Sequence, residues 1–324
     1  MRILKTGITT IQDCGRTGLR NWGLPVAGAM DRIALRLGNM LVANEPNSAC
    51  LEISRGAFST SFQRSSLVAL TGTGFNAFIN GRPIPYWQPF LVQEGEFLQL
   101  FPSSTGFTYL AIHGGIRIEP QFGSRSTHLA SKIGGLGRPL RAGDELPLTV
   151  WPDENGQRII DHLKNPAPGH HIRLGNLTIP DYTRSELRFI AGPEYDWFTG
   201  ETIDLLQSAP FTVSETSNRM GLRLNGPELK RKNAAELLSV AVMPGTMQVS
   251  PDGQILLLMA DAQTTGGYPR IGQLAAVDLH LAAQYQPGKE YLFRQISIEQ
   301  AEQLWVEQEK KLKTLERDYL LHFS

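Results

Sequence analysis

The chain has 324 residues, 41% of them hydrophobic and 19% charged, with 32 glycines and 20 prolines. That mix excludes disordered and fibrous classes, and so many turn formers favour a β-rich globular protein of one large domain or two ordinary ones. Lys plus Arg and Asp plus Glu both number 31; with no basic excess to neutralise a phosphate backbone, the balance argues against nucleic acid as a partner.

In chain order, the N-terminal residues Met1-Arg2-Ile3-Leu4-Lys5-Thr6-Gly7 run directly into alternating, strand-like sequence. They show no apolar signal core, so a cytoplasmic location is expected. A helix is predicted after Asp31 as N-cap, because Met30, Ile33, Ala34, Leu37, Met40 and Leu41 recur at spacings of three and four. Short apolar or alternating runs at 66–70, 97–101, 109–112, 187–190, 211–214 and 254–259 read as strands. Tight turns are expected at Asn80-Gly81, Glu94-Gly95, Asp252-Gly253 and Pro287-Gly288. The stretch 151–185, with Asn165-Pro166-Ala167-Pro168-Gly169, reads as a connector between two β-rich halves. A second helix is predicted from Gly192-Pro193-Glu194, with the acid facing the positive dipole end and Phe198 turned inward. The last helix starts at Ser297, where Ser297 and Gln300 match a capping box and Ile298, Ala301, Leu304, Trp305, Leu312 and Leu315 form a stripe, as packing surface or partner surface. The expected division is 1–165, 186–297 and a C-terminal helix over 298–324. The apolar run 255–260 is far short of the roughly 18 residues of a membrane span, so no membrane association is expected.

Cys14 and Cys50 lie in no metal-type spacing and are expected to be reduced thiols, and His113 and His128 read as scaffold residues with no metal. Gly134-Gly135-Leu136-Gly137-Arg138 lacks the Lys-Ser/Thr of a phosphate-binding loop and reads as a turn. Asp13 and Arg16 suggest a local ion pair or a ligand contact. His113-Gly114-Gly115-Ile116-Arg117 and Gly123-Ser124-Arg125-Ser126-Thr127-His128 combine backbone N–H groups, arginine and hydroxyls, which suits a carboxylate or phosphate.

The densest polar group is Asp261-Ala262-Gln263-Thr264-Thr265-Gly266-Gly267-Tyr268-Pro269-Arg270, at the end of an apolar strand. A carboxylate, an amide and two hydroxyls there orient a small polar substrate, or else cap a hairpin. Ser217-Asn218-Arg219-Met220-Gly221 adds a guanidinium and Gly245-Thr246-Met247-Gln248 an amide.

In this order these segments, with Thr9 through Arg16, Gly28-Ala29-Met30-Asp31 and Leu51-Glu52-Ile53, resemble the family of the bacterial 5-oxoprolinase C subunit, also described as the biotin-dependent carboxyltransferase or allophanate hydrolase subunit 2 family. The resemblance runs from residue 7 to about residue 295 and is weakest over 151–185 and after Ser297. It implies a mainly β fold of two cyclophilin-like β-barrel subdomains with few helices. It implies work beside 5-oxoprolinase subunits A and B in ATP-dependent opening of 5-oxo-L-proline to L-glutamate. No cofactor is expected to be bound covalently to this chain, ATP being used by the complex and any biotin riding on a separate carrier. The roles implied are catalytic for Asp261, Arg219 and Gln248, and substrate-binding for Gln263, Thr264, Thr265, Tyr268, Asn218, Arg125 and Ser126, with Arg219 or Arg125 holding the substrate carboxylate. The same family includes antagonists of a histidine-kinase inhibitor and carboxyltransferases acting on urea or a similar amide, which are the alternative readings.

Overall fold

The computed structural model describes residues 1–149, 152–165, 173–175, 178–233 and 235–321. Contacts divide the chain into two units: Met1–Arg16, Asp31–Pro180 and Leu312–Ser324 form the first, Thr17–Met30 and Asp181–Lys311 the second. The chain is mainly β, as expected, with a long C-terminal helix.

Among its described residues the first unit holds ten strands: β1 (Arg2–Lys5), β2 (Ile8–Gln12), β3 (Cys50–Arg55), β4 (Phe58–Ser61), β5 (Ser66–Gly72), β6 (Phe75–Ile79), β7 (Arg82–Ile84), β8 (Pro89–Val92), β9 (Phe97–Pro102) and β10 (Thr108–Ile112). They pair into two five-stranded sheets, ordered β1-β4-β9-β6-β7 and β2-β3-β10-β5-β8. Side chains that alternate inward along each strand, including Ile3, Leu51, Ile53, Phe58, Val68, Leu70, Leu98 and Leu110, meet in one apolar core. The expected turn at Asn80-Gly81 joins β6 to β7, with φ of 48° and 79° at its two residues. Two successive positive φ values define the hairpin turn for which Asn-Gly is the preferred pair.

Helix α1 (Arg32–Leu41) begins as predicted: the Asp31 carboxylate accepts from the Ala34 amide at 2.9 Å, and Ala34, Leu35, Leu37, Met40 and Leu41 are buried. It lies on β5 and β10, where the Thr71 hydroxyl donates to the Ala34 carbonyl at 2.7 Å. Within the stretch read as a connector the chain instead forms α2 (Glu154–Lys164), capped by Asp153 and burying Ile159 and Ile160. Two adjacent isoleucines in an otherwise polar segment give too sparse a stripe to register as a helix. Residues 166–169 of the proline-rich run lie outside the described residues.

In the second unit seven strands close into a barrel, in the order β11-β18-β15-β16-β13-β12-β19. These are β11 (Glu186–Ala191), β12 (Phe211–Val213), β13 (Gly221–Asn225), β15 (Thr246–Val249), β16 (Ile255–Leu258), β18 (Arg270–Leu274) and β19 (Glu290–Gln295), while β14 (Val240–Ala241) and β17 (Thr265–Gly266) form a separate two-stranded ribbon. Closure is by parallel pairing of β11 with β19, Glu186 opposite Leu292. Phe189, Phe211 and Phe293 stack inside, the last 6.3 Å and 5.7 Å from the other two. The helix expected at Gly192 is a single 3-10 turn, Tyr195–Trp197, followed by α3 (Gly200–Ser208) capped by Thr199. Phe198 is buried as predicted. Glu194 faces no helix end, because Arg270 takes both of its oxygens. A five-residue helix, α4 (Leu279–Ala283), precedes β19.

Helix α5 (Ile298–Leu321) carries the predicted capping box: Gln300 N donates to Ser297 Oγ, and Ser297 N to Gln300 Oε1. Ala301 and Leu304 pack on Ala275, Val277 and Ile296 in the second unit. In the first unit the Tyr319 hydroxyl donates to the Leu41 carbonyl. The stripe is therefore partly packing surface, while Ile298 and Trp305 remain exposed. Among the described residues, no helix is long and apolar enough to cross a membrane.

Candidate functional site

In the second unit the antiparallel pairing of β13 with β16 continues past its last strand residues. The Met259 amide donates to the Met220 carbonyl, and the Asp261 amide to the Arg219 carbonyl at 2.9 Å. Regular pairing would set Arg219 opposite Ala260, so the two segments slip by one residue here, and that slip brings the Arg219 and Asp261 side chains together. The Arg219 guanidinium grips Asp261 with both arms, Nε to Oδ2 at 2.7 Å and Nη2 to Oδ1 at 2.8 Å, and Nη2 also donates to the Gly28 carbonyl at 2.7 Å. Both groups are nearly buried. Such a fork fixes the plane of the carboxylate and leaves each oxygen a further lone pair. The arginine expected to hold a substrate carboxylate thus holds a carboxylate of its own chain. Asn218 is exposed, and its side chain accepts from the Met220 amide in the turn that presents Arg219.

Gln248 lies on β15 opposite Leu256 and Arg270, on the outer face of the barrel, and is buried there by the ribbon of β14 and β17. Its Nε2 donates to the Tyr268 carbonyl at 3.1 Å. A Cβ on Gly266 would sit 2.6 Å from that nitrogen, so a larger residue there would push the Gln248 amide aside. Gln248 thus holds the 266–268 turn through its amide nitrogen. Gln263, Thr265 and Tyr268 are exposed and Thr264 half-buried. Arg270 reaches across the same face, donating to Glu194 through Nε and Nη2, both at 2.7 Å, and to the Ala241 carbonyl. Burial pushes the Glu194 carboxyl up, but the hydrogen bonds and charge of Arg270 outweigh it, and the net shift is below the ordinary value.

Arg125 and Ser126 belong to the first unit. Ser126 is buried and committed to Asp13, whose amide donates to its hydroxyl and whose carboxylate accepts from it. The same carboxylate accepts from Ser124 Oγ and the Arg125 amide, each at 2.6 Å, and from the Gly15 amide. Arg16, fully buried, donates to the Ser126 carbonyl. Asp13 is thus the knot that ties residues 124–126 to the end of β2.

A second buried network, which sequence reasoning did not assign, lies on the face of the second sheet. The Tyr109 hydroxyl donates to Glu52 at 2.8 Å and accepts from the Asp31 amide at 2.8 Å. Burial first, then the nearby Glu52 and Asp31 carboxylates, holds that hydroxyl well above its ordinary pKa, so it remains the donor. Thr10 sits opposite Glu52 across the β2 and β3 pairing, and Gln12 Nε2 bridges Thr10 Oγ1 and the Thr127 carbonyl. Gln12 Oε1 is buried with no partner among the described residues. The signal available in the sequence was the carboxylate inside the apolar run Leu51-Glu52-Ile53. Cys50 is in the same strand, and burial pushes its thiol up, which makes it a poor nucleophile.

The carboxyltransferase domain, subdomain A and B, matches residues 22–295. The chain is 39% identical to the C subunit of the 5-oxoprolinase of Escherichia coli (strain K12), covering 93% of each chain. It is 35% identical to the corresponding 5-oxoprolinase C subunit of Haemophilus influenzae, over 91% of this chain and 90% of that one. The crystal structure of the K. lactis urea amidolyase superposes with a TM-score of 0.85 at 26% identity, covering 98% of this chain, which spans only 20% of that far longer one. A match of this extent, borne by relatives aligned over nearly their whole length, means that the chain belongs to the carboxyltransferase domain, subdomain A and B, family.

Proposed function

We propose that this chain is a component of an ATP-dependent 5-oxoprolinase complex, which opens 5-oxo-L-proline to L-glutamate. The observation that carries the reading is the 39% identity to a 5-oxoprolinase C subunit across nearly the whole of both chains. A lactam is a poor electrophile, so its opening requires activation, and ATP used by the complex supplies it. The partners are subunits A and B, and the compartment is the cytoplasm. Any biotin would ride on a separate carrier.

Within that reaction Asp261 is the group best placed to orient the lactam or handle its proton, since Arg219 fixes its plane while spare lone pairs remain. Gln263, Thr264, Thr265, Tyr268 and Asn218 supply exposed or half-buried polar groups in the same unit. Gln248 and Arg219 act through the groups they hold.

The test is glutamate formation from 5-oxo-L-proline and ATP by the chain co-expressed with its A and B subunits, beside a preparation lacking this chain and one carrying Asp261→Asn. Activity is expected only with the chain, and the variant is expected to lose about a hundredfold in kcat. Full activity without the chain would overturn the reading and favour regulation of another protein. The likeness to a urea amidolyase supports a second reading, carboxyl transfer to urea or a similar amide. Carboxylation of urea by the chain with a biotin carboxylase and carrier, in place of glutamate formation, would establish it.

A further inference from the structure

We propose that the outward face of the first sheet, β1-β4-β9-β6-β7, is the contact surface of a dimer of this chain, with a two-fold axis lying along the strands between β4 and β9.

One face of this sheet lines the apolar core through Ile3, Phe58, Ala77, Leu98 and Leu100. The other is open among the described residues, and its composition is unlike that of a solvated face. Along the central strand β9 the outward positions are Phe97, Gln99 and Phe101, and the two phenylalanines are 46% and 44% exposed. β6 adds Phe78, whose ring meets that of Phe101 edge-on at 5.8 Å. The edge strand β1 adds Leu4, also exposed. No charged residue occupies an outward position of β4, β9 or β6. Sheets with one face in water carry polar groups on it, whereas aromatic side chains around a centre depleted of charge are typical of an interface core.

The relief of the face selects a second copy as the occupant. Beside the ridge of Phe97, Gln99 and Phe101 runs a groove of small side chains. Ser61 lies opposite Phe97 and Ser59 opposite Gln99, and Ala57, one residue before β4, continues the line. Ridge and groove are neighbours, so a half-turn about the line between them seats each ridge in the groove of the other copy, the self-complementarity that a two-fold interface demands. Phe97 of each copy then stands over Ser61 of the other, and Gln99 over Ser59, where amide and hydroxyl can pair. The same rotation carries β1 of one copy over β6 of the other. Leu4, at the bulge beside Ser59 and Thr60, comes over Phe78. Arg2, opposite Ser61 and in no ion pair among the described residues, comes over the corner where Asn80 meets Glu96. Apolar groups thus meet apolar groups, and a free guanidinium meets a carboxylate. The four overlapping strands, about 4.8 Å apart and about 17 Å long, cover roughly 300 Å² of sheet plane per copy. Side-chain relief adds to that area, which puts the pair at the weak end of specific interfaces, with a dissociation constant in the micromolar range.

Sedimentation equilibrium of the full chain across that concentration range tests the proposal. The mass is expected to rise toward twice the 35.9 kDa of one chain. Phe97→Glu sets a carboxylate over the groove and should weaken the dimer about a hundredfold, the scale of a lost central aromatic anchor. Its thermal melt should stay near wild type, because the side chain is almost half exposed. Ser61→Arg should weaken the dimer similarly by filling the groove. In a mixture of the two variants the introduced charges face each other at one Phe97–Ser61 contact while the other contact stays native, so association should recover. A chain that remains monomeric throughout, a dimer indifferent to Phe97→Glu, or a mixture that recovers nothing would each overturn the proposal. A monomer whose Phe97→Glu variant loses only its association with the A and B subunits would overturn it too, and would assign the face to one of them.

Discussion

Arg219 and Asp261 are 42 residues apart in sequence and yet form one fork at the end of two paired strands. Removing one partner from a nearly buried pair strands the other charge, a loss that costs about 3 kcal/mol or more. Arg219→Ala should therefore lower the urea-unfolding stability by that order, and Arg219→Ala with Asp261→Ala should recover part of it. Equal stability of the single variant and wild type would show that the fork contributes little. Both residues stand out in the sequence as polar groups beside glycine turns, but the pairing between them does not, because it depends on a register set by strand backbones. Glu52 is harder still to read: a lone carboxylate in an apolar run announces burial without naming Tyr109 as its partner.

The start of α1 joins two devices. Asp31 caps the helix through its side chain, and its amide is in turn held by Tyr109. Asp31→Ala is expected to cost about 1–2 kcal/mol in unfolding free energy, and Asp31→Asn, which keeps the acceptor, only a fraction of that. If both variants unfold alike, the cap is not what fixes the helix. Helices α1 and α5 are legible because their apolar spacing and caps agree. Helix α2 is not, for want of apolar residues, and the two-residue strands β14 and β17 are too short for any period to show. The ribbon they form is nevertheless what covers Gln248, so this residue is recognised from sequence as an amide near a strand but not as a buried support.

Across the molecule, each unit contains a carboxylate held below its ordinary pKa: Asp144 through the hydrogen bonds of Arg138, and Glu194, where Arg270 prevails over burial. Lowered carboxyl groups contribute stability in full above their unfolded values, 3.8 for Asp and 4.5 for Glu, and lose it as pH falls through the lower folded values. The urea midpoint should therefore hold from neutral pH to about 5 and then drop steadily, with Glu194→Gln flattening the fall. A midpoint that is insensitive to acid would contradict this. The mid-chain change in composition signals two β-rich halves, yet nothing local reveals that residues 17–30 and 312–324 cluster with the halves distant in sequence, since only tertiary contact decides that. The parallel seam between β11 and β19 carries a kinetic consequence. As the chain leaves the ribosome, Glu186 must wait for Leu292 before the cylinder can shut, so the rim strands stand open throughout that interval. Closure over so long a separation in sequence favours slow, late completion of the barrel, whose edge strands gain their partners only once β19 is made.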